Sequence, residues 1–401
     1  VVLTGAYETA VKFKSWRPDL DLVAETSGKN SIVVTNSSDI DLAVYDIVKS
    51  AFGHAGQKCS AGSLAIVEKE IYNNPLFFKQ LVDATNSLSV GNTTDLGNSV
   101  GPIIKEPDEK LLRALTELEE GEGWLVKPKV LSNSNCWTPG IKINVQPNSW
   151  THINEWFGPV LGIMKAPNLK KAIEWQNATE YGLTAGIHSL STKECNYWLK
   201  NVEAGNLYIN RPITGAIVKR QPFGGWKKSS FGPTIKAGSS YYPRIFRRYD
   251  DVKDYDILIN ELEELWNIKS KKIKNDNLQS EHNYSVLYPH KKLLLVHDET
   301  LNPELKKYLD SIKKIFGLTI DEIEFSKLEN NDSLNKYSLV RWLSREPAPE
   351  WIYKYNFSVD TNHIVQNSQR ELFSWVREQS ISITNHRYGN IGFSPVSIEI
   401  K

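Results

Sequence analysis

Two side chains in this sequence carry the types and settings for covalent and acid–base chemistry. One is Cys59, in "FGHAGQKCSAG" (Phe52 to Gly62); the other is Glu25, in "AETSGKNSIVV" (Ala24 to Val34). The thiolate is the nucleophile, and an ordinary cysteine with a pKa near ~8.5 is mostly protonated at neutral pH. Loop amides, a helix end or a cation must therefore stabilise the anion. The segment supplies loop amides, Lys58 next door, and small neighbours at Gly56 and Ala61 that leave the sulfur approachable. Glu25 precedes Ser27-Gly28 and a β-rich run, a strand-to-loop corner where a carboxylate can act as general base toward water. By residue type alone, a single cysteine reads as a structural thiol and a loop glutamate as a solvated one. Cys136 and Cys195 keep that structural reading, and neither they nor His54 and His152 have partners at metal-ligand spacing, so no metal is expected.

The elements that must position these residues follow from periodicity. In "SDIDLAVYDIVKSAF", apolar Ile40, Ala43, Val44, Ile47, Val48 and Ala51 line one helical face, with Ser38 or Asp39 as N-cap and a stop near Gly53. "SLAIVEKEIY" then reads as a strand, so Cys59 falls in a helix-to-strand loop. Helices are expected at about 75–88, 106–119, 168–177 and 192–202, and strands near 31–35, 124–131, 159–165, 183–188 and 206–210. Alternation at this spacing predicts an α/β fold with a largely parallel sheet. The polar, basic stretch 268–285 reads as a linker, and the run Lys269 to Lys274 within it as solvated rather than nucleic-acid-binding. Beyond it, "KLLLVHDE", a helix from Asn302 to Phe316 and a strand near "EIEFSK" form a further α/β pattern.

Bulk composition narrows the class. The chain has 401 residues, 40% hydrophobic and 24% charged, with a net charge of +1. That balance gives no field pointing to nucleic acid or an acidic membrane. Three cysteines are too few for a disulfide framework, which favours a reducing, cytoplasmic setting. No apolar run approaches the ~20 residues of a membrane span. The chain opens Val1-Val2-Leu3 and holds one Met, Met164, as expected of a piece of a longer protein.

Taken in order, these stretches resemble the aldehyde dehydrogenase superfamily. Its Glu-x-x-Gly-Lys motif matches at Glu25 and its Gly-Gln-x-Cys motif at Cys59. "NEWFGPV" matches its Glu-x-Phe-Gly-Pro-Val at Glu155 and Phe157, "EYGLTAGIHS" its Tyr-Gly-Leu-Thr segment, and "LTGAYETA" the turn that contacts the dinucleotide, at Gly5. Ala6 stands there in place of the usual serine. The stretch "NRPITGAIVKRQPFGGWKKSSFGPTIKAG", with "WRPDL" and "AFGHAGQKCSA", resembles the glutamate γ-semialdehyde (1-pyrroline-5-carboxylate) dehydrogenases, above all the form within bifunctional bacterial proline-utilisation enzymes. The ordered set spans residues 1 to about 245.

The resemblance implies NAD-dependent oxidation of L-glutamate γ-semialdehyde to L-glutamate, with Cys59 as nucleophile and Glu25 as base. It implies Gly5, Glu155 and Phe157 at the cofactor, Ser60, Gly215 and Ala216 on the substrate carboxylate, and Phe223 against the aliphatic stem. A backbone nest in "TGA" suits a carboxylate. It also implies a homo-oligomer, and FAD only if a proline dehydrogenase domain precedes Val1. The implied organisation is a remnant of the NAD-binding domain at 1–25, a catalytic domain at 26–226, a return and oligomerisation segment at 227–267, the linker, and a C-terminal α/β extension at 286–401. The family's upstream ribose-binding lysine and oxyanion-holding asparagine are not in this sequence. The expectation is thus that residues 1–401 alone are inactive and partner the missing N-terminal half. Two alternatives stay open, a dehydrogenase for another acid-semialdehyde and a non-catalytic assembly module. "RWLSREPAPE" and "WVREQSISITNHRYGN" resemble the C-terminal extension of some proline-utilisation enzymes, with His386 and Arg387 in structural or interface roles.

Overall fold

The computed structural model describes residues 1–131, 135–233, 235–298 and 301–391. The chain opens with β1 (Val2–Thr4), α1 (Tyr7–Trp16) and β2 (Val23–Glu25), where β1 and β2 pair in parallel and Ser230–Phe231 closes a three-stranded sheet against β2. Then β3 (Asn30–Val34), α2 (Ile40–Phe52) and β4 (Gly62–Glu68) form the right-handed kind of strand–helix–strand unit that parallel pairing requires. Asp39 caps α2 by accepting from the Leu42 N–H at 3.3 Å. The helix ends at Phe52 because Gly53 leaves helical geometry.

β3 and β4 lie at the centre of a ten-stranded sheet. From β3 the sheet continues through Thr184–His188, Asn206–Ile209 and Val376–Thr384, and from β4 through Val160–Ala166 and Gly140–Ile143, all in parallel. Antiparallel strands finish both edges, Gly123–Val126 on one and Glu281–Pro289 with Ile273–Lys274 on the other. β3 reads Asn-Ser-Ile-Val-Val and is buried throughout, as a strand covered on both faces must be. Helices cover the sheet on both sides: α2 packs with Ile32, Val34, Ala65 and Val67, whereas Cys195 and Trp198 pack with Val33, Leu64 and Ile66.

A second, four-stranded parallel sheet runs Thr319–Glu324, Lys292–His297, Leu339–Trp342, Ser358–Asp360. The helix Pro303–Phe316 starts at the Asn302 cap as expected and ends at Gly317 in left-handed geometry, while the strand near "EIEFSK" already ends at Glu324. At its heart Arg341 is fully buried between Asp360 (2.8 Å) and Glu371 (3.1 Å).

Two expectations need correction. Residues 268–285 are not a linker: they include Ile273–Lys274 and the start of the nine-residue strand Glu281–Pro289. Polar residues suffice there because the strand is half-exposed at the sheet edge, and its apolar Val286 and Leu287 come only at its end. Likewise, the stretch 286–401 is not wholly an extension apart from the main sheet: Val376–Thr384 is a buried strand paired with Asn206–Ile209 within the ten strands. Its two serines and Gln379 hid it; they are satisfied instead by the side chains and carbonyls around them, as with Ser380 Oγ on the Pro222 carbonyl at 2.6 Å. The helix Tyr255–Lys269 also packs into the C-terminal unit, Trp266 against Phe316 with ring centroids 5.1 Å apart. Beyond the strand, Arg387 grips Asp39 at 2.7 and 3.0 Å, which ties the tail to the start of α2.

Candidate active site

Cys59 sits between α2 and β4, as its spacing predicts, in a loop entered through an unusual turn. His54, Ala55 and Gly56 are all left-handed, with φ of 55°, 53° and 67°. A side chain at Gly56 would collide with the Gly158 carbonyl, so glycine is obligatory. This turn swings the chain off the helix and brings "QKCS" against the start of β3 at Asn30.

Glu25 ends β2. Ser27 and Gly28 follow it, and Gly28 passes so close to the Cys59 carbonyl that a Cβ there would lie 2.8 Å from it. Asn30 Nδ2 donates to the Cys59 carbonyl at 2.7 Å and to that of Ala61 at 2.9 Å. Base candidate and nucleophile candidate are thereby joined through the corner from Glu25 to Asn30. Burial pushes the Cys59 thiol above its ordinary range, and the negative charges of Glu25 and Glu155 push it further; the N–H groups of Ser60 and Cys59 itself oppose this. The leading influences on it are burial, Glu25 and Glu155 rather than Lys58, which was expected to stabilise the thiolate. Glu25 keeps a partial path to solvent but is raised to about 8 by burial, against the pull of Lys236 and the Gly225 N–H, which donates to Oε2 at 3.1 Å. The resting site thus holds a thiol and a carboxylic acid at neutral pH, one proton on each.

Glu155 and Phe157 line a narrow crevice with Gly28, Lys58 and Gly62, next to the cysteine loop. The Glu155 Oε1 accepts the Gly28 N–H at 2.9 Å, and burial raises its pKa. Phe157 is left-handed (φ 52°), exposed, and accepts from Gln57 through its carbonyl at 3.1 Å. Gly5 lies where β1 turns into α1; its N–H donates to the Glu25 carbonyl at 3.2 Å. The first turn of α1 has no side-chain cap at Ala6.

Ser60 is buried, and its carbonyl accepts from Thr184 Oγ1 at 3.4 Å. Gly215 (φ 86°) is exposed and Ala216 partly so, in a loop that reaches the cysteine segment through Ile213, which packs over Gly62 and donates its N–H to Ser50 at 3.1 Å. Phe223 pairs backbone to backbone with Ala237 at 2.8 and 2.9 Å. Cys195 is pushed up to about 12 by burial, consistent with a structural thiol, and Cys136 is buried too. His152 is buried with its ring bonded to Asn148 and Trp175, and no metal-holding group of His, Cys, Asp or Glu occurs among the described residues. Sequence reasoning missed Asn30, Lys236 and buried Lys29, whose ammonium stacks 3.1 Å from the Trp156 ring centroid. Only Asn30, a polar residue opening a buried strand, left a readable signal.

A separate cavity of about 560 Å³ lies at the C-terminal ends of Leu339–Trp342 and Ser358–Asp360, with charges of both signs, Arg247, Arg345, Asp251 and Glu346 among them. It is remote from Cys59 in lining.

The family model for "Aldehyde dehydrogenase family" matches residues 1–248. The chain belongs to the aldehyde dehydrogenase family. Among aldehyde dehydrogenases it is similar to the 1-pyrroline-5-carboxylate dehydrogenase of Bacillus subtilis (strain 168), at 37% identity over 59% of this chain and 46% of that one. Its fold is similar to the structure of Proline Utilization A (PutA) from Corynebacterium freiburgense, with TM-score 0.87, 41% identity, and 97% of this chain against 42% of that one. A 1-pyrroline-5-carboxylate dehydrogenase from Thermus with bound NAD matches over 61% of this chain and 48% of its own, with TM-score 0.56 and 31% identity. The chain spans about half the length of the curated relatives it matches. No helix among the described residues is long and apolar enough to cross a membrane.

Proposed function

We propose that this chain carries the nucleophile, base and substrate subsite of an NAD-dependent dehydrogenase that oxidises L-glutamate γ-semialdehyde to L-glutamate in proline degradation. The observation that carries the reading is the joining of Glu25 to Cys59 through Gly28 and Asn30. Cys59 Sγ attacks the aldehyde carbon as its S–H proton passes through solvent to the carbonyl oxygen, giving a thiohemiacetal, and the N–H groups that already face the sulfur stabilise the negative charge developing on that oxygen. Hydride acceptance is the chemistry that NAD would supply when bound; loss of hydride, and of the hydroxyl proton to solvent, would turn the Cys59 thiohemiacetal into a thioester. Once it has given up its resting proton to solvent, Glu25 takes a proton from water, whose oxygen attacks the thioester carbon; glutamate leaves, and the same proton passes from Glu25 to the departing sulfur. The residues present fit the cofactor's near half: the uncapped amides of α1 suit a diphosphate, and Glu155 with Phe157 would hold the nicotinamide end. Gly215 and Ala216 would bind the substrate carboxylate through backbone N–H groups, beside Ser60, and Phe223 would pack against its stem. A cytoplasmic homo-oligomer belongs to the same reading; sedimentation velocity at micromolar concentration tests it.

The chemistry can be tested without cofactor. An activated ester such as p-nitrophenyl acetate should acetylate Cys59, seen by intact mass after acid quench and absent in Cys59→Ala. Glu25→Gln should accumulate the acetyl-enzyme that the unaltered chain hydrolyses. A Cys59 that no ester or aldehyde modifies would sink the proposal.

A further inference from the structure

Glu25 is not alone in its pocket. Gly224 separates it from Lys236: a Cβ on Gly224 would lie 2.7 Å from Glu25 Oε1 and 3.2 Å from Lys236 Cγ. The Lys236 ammonium donates to the Gly224 carbonyl and, at 2.8 Å, to Asn206 Oδ1, which also accepts the Gly224 N–H at 3.1 Å. Glu378, from the strand Val376–Thr384, stands beside Lys236; its Oε2 accepts the Lys236 backbone N–H at 3.4 Å. Lys236 and Glu378 are both buried, and the Trp226 indole holds the Glu378 carbonyl at 3.0 Å. Three ionisable groups from distant parts of the chain therefore share one interior site.

We propose that Lys236 and Glu378 are positioning residues for Glu25, two buried carboxylates competing for a single buried ammonium, so that the last strand of the chain sets how much of Glu25 is charged. This rests on reading Glu25 as the base. A buried site favours electrical neutrality, which here means one ammonium, one carboxylate and one carboxylic acid. The two acids then hold one proton between them, and titrate as a set. The directions agree: burial raises Glu25 and Glu378 and lowers Lys236, while each carboxylate pulls Lys236 back up. The other groups facing the set do not supply a second cation. Glu25 also faces Cys59 and Tyr242, and Glu378 faces the hydroxyls of Ser239 and Ser285. Lys236 further links the set to the proposed substrate subsite, because its neighbour Ala237 is paired with Phe223.

The two perturbations have opposite signs. Glu378→Gln gives the ammonium wholly to Glu25 and should lower the Glu25 titration midpoint by ~1 pH unit; Lys236→Met removes the cation and should raise it by a similar amount. Lys236→Arg should stay nearest the unaltered protein. The reading is a carboxyl-carbon NMR titration of protein labelled in its glutamates, with the Glu25 signal assigned by its loss in Glu25→Gln. Should Lys236→Met fail to fold, the isosteric Glu378→Gln carries the test by itself. A midpoint that Glu378→Gln leaves in place or raises overturns the proposal. Ester acylation in the same variants separates the two layers: a moved midpoint without Cys59 acylation keeps the triad and removes the dehydrogenase reading, and acylation with an unmoved midpoint does the reverse.

Discussion

Asn30 holds Cys59 by its own carbonyl: the Asn30 side-chain amide donates to Cys59 O at 2.7 Å, while its Oδ1 accepts from the Thr184 N–H at 3.0 Å. One buried side chain thus fixes the nucleophile loop to β3 and to the strand beside it. Asn30→Ala leaves two carbonyls and an amide without partners in the interior, at ~1–3 kcal/mol each before relaxation. Urea denaturation should show a loss of ~2–4 kcal/mol, and Cys59 acylation should slow by ~10-fold or more as the loop loosens. A variant of unchanged stability would mean that water replaces the amide.

The three thiols should separate by kinetics. Cys59 is half-buried, whereas Cys136 and Cys195 are buried. Iodoacetamide followed by peptide mass mapping should label Cys59 first, yet slowly at pH 7, because burial disfavours its thiolate, with the charge of Glu25 adding to this once that carboxyl ionises near pH 8. The rate should climb through pH 9. Glu25→Gln should shift that climb to lower pH, since a neighbouring negative charge is gone. An unshifted profile would detach Glu25 from the sulfur.

Glu25 should also leave a mark on stability. Its folded-state pKa, near 8, stands above the ordinary 4.5, so the native state holds a proton that the unfolded chain releases between those values. Stability contributed by this group is complete below about 4.5 and falls as pH rises toward 8. Glu25→Gln should flatten that slope and raise the melting temperature at pH 8 by ~2 °C or more while it blocks deacylation. Equal melting curves at pH 5 and pH 8 for both proteins would contradict the buried acid.

Arg341 makes a different kind of demand. It is fully buried between Asp360 and Glu371, with Tyr308 donating to the same Glu371 at 3.1 Å. Arg341→Met strands two carboxylates in the interior, a loss of ~3–5 kcal/mol. Hydrogen exchange should then rise in Lys292–His297 and Leu339–Trp342 before it rises in β3 and β4. Uniform change across both sheets would show that they unfold as one unit.

Most of the site's skeleton was legible because it is local. The apolar face of α2, its Asp39 cap and the glycine after it are written within fifteen residues, and they place Cys59 in its loop. Glu25 and Asn30 likewise flank one corner. The partners brought from afar were not legible. Val376–Thr384 alternates polar residues that look solvated, and nothing near Glu378 announces Lys236, which lies on a separate stretch of chain. The thiol's environment was misread for a related reason: Lys58 is adjacent in sequence, but through-space charge comes from Glu25 and Glu155. Adjacency predicts loops well and electrostatics badly.

The pairing of Asn206–Ile209 with Val376–Thr384 also dictates an order of assembly. The strand beside the nucleophile's neighbours leaves the ribosome with one edge open, and the segment that covers it is made only after the whole four-stranded unit. At ~5–20 residues per second, that interval is on the order of ten seconds or longer. During it, a buried-type edge rich in Leu207, Tyr208 and Ile209 stands exposed to any β-forming chain nearby. Premature termination anywhere before Val376 should therefore yield aggregates rather than a smaller soluble protein, and emergence of Val376–Thr384 marks the moment at which the ten-stranded sheet can first close.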